Sequence, residues 1–163
     1  MRTKLLLVAI LFSLQINAQQ CWSKLASGLY HSIAIANDGT LWSWGYNNSG
    51  QLGDGTLVDK NVPTQVDTSA DWVAVGTGYY HSFAIKSNGT LWAWGHNASG
   101  QLGDGTILNK LVPIQIGTAT DWLKVSGGES HSVAIKTDGT LWTWGYNFFG
   151  QLGDGTTVSK NMP

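Results

Sequence analysis

Residues 78–105 read Gly78-Tyr79-Tyr80-His81-Ser82-Phe83-Ala84-Ile85-Lys86-Ser87-Asn88-Gly89-Thr90-Leu91-Trp92-Ala93-Trp94-Gly95-His96-Asn97-Ala98-Ser99-Gly100-Gln101-Leu102-Gly103-Asp104-Gly105. The same pattern stands fifty residues earlier, from Gly28 to Gly55, and fifty later, from Gly128 to Gly155. Trp22, Trp72 and Trp122 keep that interval, as do His31, His81 and His131, and Pro63, Pro113 and Pro163. A chain that repeats at a fixed period must be read as repeats before any motif in it is interpreted. The copies run over 22–71, 72–121 and 122–163. The third lacks counterparts of Gln65-Val66 and Gln115-Ile116, so it is expected to be truncated.

Each copy reads as strands. Trp72-Val73-Ala74-Val75 is a short β-rich run that Gly76 is expected to end. His81 to Ile85 alternates small with large. Ser87-Asn88-Gly89 is a turn, and its equivalents Asn37-Asp38-Gly39 and Thr137-Asp138-Gly139 carry the Asp-Gly hairpin signal. Leu91 to Gly95 is the return strand. A glycine-rich loop follows, then a fourth strand, Pro113 to Ile116, with proline at its start. No window shows helical periodicity with caps. Four short strands per period describe one β-propeller blade. The expected fold is therefore all-β: about three blades of four antiparallel strands, an incomplete propeller. Trp92 and Trp94 share a face opposite Leu91 and Ala93. Each blade should then offer one bulky and one small face that interdigitate. The strand tryptophans should dominate stability, at about 2–3 kcal/mol each.

The chain has 163 residues, of which only 12% are charged, with Gly 21, Trp 9 and Pro 3. Arg2 is the sole arginine, so there is no cationic stripe with which to displace counterions from phosphates, and nucleic-acid binding is excluded. Cys21 is the only cysteine, which excludes a disulfide framework. Arg2 and Lys4 precede an apolar run from Leu5 to Ile16, followed by Asn17 and Ala18. That is the pattern of a signal peptide over 1–18, cleaved after Ala18 and too short to span a bilayer. A first core strand is the other reading of this segment. Residues 19–163 would then form the mature chain, secreted or extracytoplasmic at the cell surface or in the periplasm. It carries seven lysines against ten acidic residues, a net charge of −3. Cys21 is expected to be inert and buried, with crosslinking to a partner as the alternative. Lipid attachment there is disfavoured by Gln20, which stands where a small residue would precede a lipidated cysteine.

The string from Gly78 to Gly105 closely resembles the repeat of the regulator of chromosome condensation family. His-Ser, Trp-x-Trp-Gly-x-Asn and Gly-Gln-Leu-Gly-x-Gly are present in all three copies. Kelch repeats are similar in length, but their double glycine occurs here only at Gly127-Gly128. The resemblance implies a seven-bladed propeller, about 350 residues at this period. It also implies a protein-binding platform. Family members include a nucleotide exchange factor for a nuclear GTPase that binds chromatin, components of ubiquitin ligases, and a secreted bacterial inhibitor of β-lactamases. The spacing here leaves no room for an inserted exchange wedge, and no active-site residue is carried over. The remaining blades are expected downstream or from self-association.

The histidines at fifty-residue intervals raise the question of a metal-lined channel. A group present at one place in every copy is better explained by blade construction, with each histidine bonding inside its own blade. Gly50-Gln51-Leu52-Gly53-Asp54-Gly55 lacks the spacing of a phosphate loop and the carboxylates of a calcium loop. It reads as a multiple turn in which glycine supplies positive φ and Asp54 bonds local amides. Ser32, Ser82 and Ser132 each follow a histidine, but adjacent strand residues face opposite ways and cannot pair. Glu129 is the only glutamate. No catalytic residue, cofactor or metal is implied, and the chain is read as no enzyme.

Specificity should then sit where the copies differ. The differing residues are Tyr30, Tyr79-Tyr80 and Glu129 before the histidine strand, Tyr46, His96 and Tyr146 after the tryptophan strand, and Phe148-Phe149 in the following turn. These nine are the candidate partner-binding residues. The partner is expected to be a protein. The alternative is carbohydrate or cell-wall binding through exposed aromatics.

Overall fold

The computed structural model describes residues 20–163. The signal-peptide reading of 1–18 lies outside the described residues. Eleven strands form three antiparallel sheets, and no described residue is helical. The first sheet is β1 (Trp22–Ser27), β2 (His31–Ala36), β3 (Leu41–Gly45) and β4 (Lys60–Gln65), in that order. The second repeats it with β5 (Trp72–Thr77), β6 (His81–Lys86), β7 (Leu91–Gly95) and β8 (Lys110–Gln115). The third holds β9 (Trp122–Gly127), β10 (His131–Lys136) and β11 (Leu141–Gly145). A single bridge from Gly145 to Lys160 replaces its fourth strand. The sheets stack as blades, with β5 packed between β1 and β9. Leu29 N–H donates to Tyr79 O at 3.3 Å and Tyr79 N–H to Gly128 O at 3.2 Å, linking successive blades at their inner ends.

Several local expectations are corrected. Gly76 does not end its strand: it pairs with Phe83, and Thr77 pairs with Ser82. Its missing side chain instead admits the neighbouring blade, because a Cβ there would lie 2.3 Å from Val125 O. Pro113 sits inside β8, not at its start. β8 is an edge strand, and its register shifts between Ala93 and Gly95, so no ladder donor is needed from the proline. The hairpins form at Asp-Gly as expected, and among the described residues only glycines have positive φ, so they are not mirror-image two-residue turns. Gly39 N–H bonds Ala36 O at 3.0 Å, and only Gly39 is left-handed (φ +82°), which is the type I turn with a glycine bulge.

The faces are also mixed. Register places Ala84 beside Trp92 and Ser82 beside Trp94, while Phe83 lies beside Ala93 and Ile85 beside Leu91. Each face thus carries large next to small. One cluster seats Trp72, Ala84 and Trp94 on Ile35 and Leu41 of the first blade. The next seats Trp122, Ala134 and Trp144 on Phe83, Ile85, Leu91 and Leu102 of the second. Of the six strand tryptophans only Trp94 and Trp144 are wholly buried. The first of each pair lies edge-on to the tryptophan that opens its blade, as in Trp72–Trp92 at 5.8 Å.

A polar node runs through each blade interface. Trp94 Nε1–H donates to Gln51 O at 2.9 Å and Ser82 Oγ–H donates to the same carbonyl at 2.8 Å. Trp144 and Ser132 repeat this on Gln101 O at 2.8 and 2.6 Å. Gly53 is left-handed (φ +76°), and a Cβ there would lie 2.7 Å from Trp94 Nε1, so glycine is required for the loop to cover the indole. Trp94→Phe keeps a ring and deletes the donor, and should cost about 1–3 kcal/mol in urea unfolding. Trp44→Phe, whose indole N–H has no carbonyl opposite it among the described residues, should cost less than half as much in the same measurement.

Candidate functional site

Strand order sends the β1–β2 and β3–β4 connections of every blade to the same end, and the β2–β3 turns to the other. All nine candidate residues therefore share one end. Because His31 pairs with Gly45, the residues flanking them meet: Tyr46 N–H donates to Tyr30 O at 2.9 Å. His96 meets Tyr80 in the same way at 2.9 Å, and Tyr146 meets Ser130 at 2.8 Å.

Two aromatic groups result. Tyr80 crosses the blade boundary to join Tyr30 and Tyr46, with all three ring centroids 6.1–6.3 Å apart. Tyr146 stacks on Phe148 at 6.4 Å, and Phe149 stands edge-on to Phe148 at 5.2 Å. Phe148 is 65% and Phe149 82% exposed, although apolar rings are costly to leave in water. Tyr79 is exposed and stands outside both groups. His96 joins neither group: its Nδ1 accepts from Gln101 Nε2 at 2.8 Å, and burial lowers its pKa. Glu129 is exposed and lines a recess of about 430 Å³ with Tyr146 and Phe149.

The loop tips hang on a residue that the sequence reading did not single out. Asn47 Nδ2 donates to Asp54 Oδ1, Thr56 O and Val58 O at 3.1–3.2 Å, while its Oδ1 accepts from Leu52 N at 3.0 Å. Asn97 and Asn147 repeat the arrangement. Its recurrence in Trp-Gly-x-Asn was the available signal. Asp54 is taken up by Thr56 and Lys60, so the loop is the multiple turn expected of it.

The histidines bond across blades, not within their own. His31 Nε2 lies 2.8 Å from Ser82 Oγ, and His81 Nε2 lies 3.4 Å from Ser132 Oγ. Each serine has already given its proton to a glutamine carbonyl, so each histidine must donate through Nε2–H. That direction makes the histidine a donor to serine, the opposite of a general base. His31 and His81 are buried, and their Nδ1 atoms have no partner. Among the described residues no three His, Cys, Asp or Glu gather as a metal-binding group. Cys21 is exposed, contrary to expectation: it lies just outside β1, before the blade packs.

A family model described as the regulator of chromosome condensation (RCC1) repeat matches residues 38–85 and 88–135, and a second of the same description matches 22–51, 72–101 and 122–151. The mitochondrial RCC1 domain-containing protein RUG3 of Arabidopsis thaliana is 40% identical over 48 residues, 29% of this chain and 11% of that protein. Human WBSCR16 superposes with a TM-score of 0.79 at 22% identity, covering 89% of this chain and 37% of that one. Prp20p of Saccharomyces cerevisiae, described with its binding to Gsp1p and histones, gives a TM-score of 0.76 at 25% identity over 87% and 37%. The chain thus spans a small part of the curated relative and little over a third of each structure.

Burial holds the His31 pKa at about 4. Burial, with smaller contributions from His31, His96 and His131, holds that of His81 at about 3. Both stay neutral in the fold, whereas an unfolded imidazole titrates near 6.5. Between pH 6.5 and 4 the unfolded chain binds more protons, so stability is full above that window and falls as pH falls through it. His81→Gln keeps an N–H donor and removes the titration. Its stability measured by urea unfolding should decline less steeply, by up to about 1.4 kcal/mol per pH unit.

Proposed function

The chain belongs to the regulator of chromosome condensation repeat family, and on that premise we propose that it is an exported, non-enzymatic β-propeller scaffold that binds protein partners through one end of its blades. The observation that carries this reading is the convergence of the nine variable residues on that end, with Phe148 and Phe149 held in water. Rigid rings on a fixed turn offer contact area at little entropic cost. Export is supported by Arg2, Lys4, the apolar run and Ala18. No helix among the described residues is long and apolar enough to cross a membrane. The reading as no enzyme is supported by histidine–serine pairs that are buried and oriented the wrong way for attack.

Further blades are part of the proposal. The outward face of the first blade presents Ser32 and Trp44 beside a groove of about 280 Å³ also lined by Trp22 and Leu25. Leu141 is largely exposed on the third blade. These faces repeat the two halves of the interface formed twice inside the chain. A blade from the continuing chain, or from a second copy, would complete them.

A photo-reactive residue at Phe149 should crosslink to protein in cells that make the chain, and one at Asn88, on the opposite end, should not. Equal crosslinking from both ends would overturn the platform. Phe148→Ala with Phe149→Ala should weaken capture of the crosslinked partner at least about tenfold. Glycan-array binding lost in Tyr79→Ala with Tyr80→Ala would favour the carbohydrate reading instead. Light scattering on residues 20–163 should show association that Trp44→Glu disperses; a stable monomer would remove the self-association reading.

A further inference from the structure

We propose that the recess between the second and third blades, at Gly117, Trp122 and Lys136, binds a carboxylate. The site lies apart from the candidate partner-binding residues and does not depend on the platform reading.

The repeat supplies its own comparison. Between the first and second blades, Asp67 Oδ1 accepts from Trp72 Nε1 at 3.2 Å and from Ser69 N at 2.9 Å, while Lys86 Nζ donates to Ser69 Oγ at 3.1 Å. Fifty residues on, Gly117 and Ala119 stand in place of Asp67 and Ser69. The donors remain. Trp122 is only 5% exposed and its Nε1 has no partner. Lys136 keeps Asp121 at 3.1 Å but loses the hydroxyl. Two substitutions have thus removed two acceptors from one place and left an indole N–H and an ammonium beside it.

The space of the lost side chain is open. A Cβ at Gly117 would meet nothing within 4 Å, and Gly117, Trp122 and Lys136 line a recess of about 430 Å³ that Met162 and Pro163 bound on one side. The unmet donor does not come from where the sequence ends. Gly117, Ala119, Trp122 and Lys136 lie well inside it, and the blades on both sides of this boundary are present.

The charges around the recess are matched at the first boundary. Asp104 lines the recess but is paired with Lys110 at 3.1 Å, as Asp121 is with Lys136. The first boundary carries the same two pairs, Asp54–Lys60 and Asp71–Lys86, and still holds the Asp67 carboxylate. A cation would meet an ammonium and an N–H here, and an apolar group would leave the indole donor unmet. An ionised acceptor forms hydrogen bonds roughly twice as strong as a neutral one and satisfies both donors.

The test follows the Trp122 indole N–H of the full mature chain by NMR, with Trp122→Phe identifying its resonance. Acetate at millimolar concentration should move it downfield, as a new bond to an anion does. Acetamide and equal chloride should not, and the Trp72 indole should stay in place. Blocked Gly-Asp-Gly and Gly-Asn-Gly tripeptides separate the sources. A response to the aspartyl peptide assigns the site to an acidic side chain, and a response to acetate alone assigns it to a small free carboxylate. Gly117→Asp restores the chain's own carboxylate and should weaken acetate at least about tenfold, followed at the Lys136 amide. Asp67→Gly with Ser69→Ala should do the reverse and make the Trp72 indole respond as Trp122 does. The proposal is overturned if acetate moves the Trp122 indole no more than chloride does, which would leave that donor to water, or if Gly117→Asp binds acetate as well as the parent chain. Either result leaves the platform standing, because none of the nine candidate residues lines this recess.

Discussion

A single buried peptide carbonyl sets how each blade sits on the one before it. Gln51 O takes an indole N–H and a hydroxyl from the second blade, and Gln101 O takes the same pair from the third. Both lone pairs are used, and the serine in turn accepts from a histidine one blade back. Apolar faces alone would tolerate sliding. A slip of one residue here would strand an indole, a hydroxyl, an imidazole and a carbonyl in the interior, each at about 1–3 kcal/mol. The glycines beside the node follow from it. Gly28 and Gly78 must be bare because His31 Cε1 and His81 Cε1 lie 2.3 and 2.0 Å from where a Cβ would stand.

The rims of the blades show what happens when a repeat drifts. Lys86 lies 4.6 Å from the Trp72 ring and 5.2 Å from Trp92, and pairs with Asp71. Lys136 does the same with Trp122, Trp142 and Asp121. The first blade has Ala36 and Cys21 at those places and makes neither contact with Trp22. Trp122 Nε1 has no partner, because Gly117 replaces the aspartate that serves Trp72 from position 67. The fold tolerates losses at the rim that it could not absorb at the node, where no solvent is available to take over a lost bond.

The repeat period, the strand menu and the hairpin positions were legible in the sequence because each follows from local spacing. The positive φ of the loop glycines was legible for the same reason. What one blade could not reveal was its neighbour. Gly76 looked like a strand end because its reason for being glycine is Val125 of the next blade. The histidines looked self-contained because their serine partners lie 51 residues away. The mixed faces required the register of β6 against β7, which alternation within a single strand does not contain. Of the candidate site, the gathering of Tyr30, Tyr46 and Tyr80 was implicit in the repeat, whereas the tie from Gln101 to His96 was not.

The separation between shared and variable positions has a physical basis in the loop. Asn147 holds Leu152 N, Thr156 O and Val158 O, and Gln151 Oε1 accepts from Phe149 N, so the turn is built from backbone groups and two invariant side chains. The side chains at 148 and 149 take no part in that scaffold. Asn48-Ser49 and Ala98-Ser99 occupy the same turn in the other blades with the same backbone bonds. The tip can therefore change without altering the fold, and folding does not require phenylalanine there. Two rings left in water by a turn that asks only for small polar residues oppose solubility without contributing to the core. A contact that covers them is the one role that turns this cost into a gain.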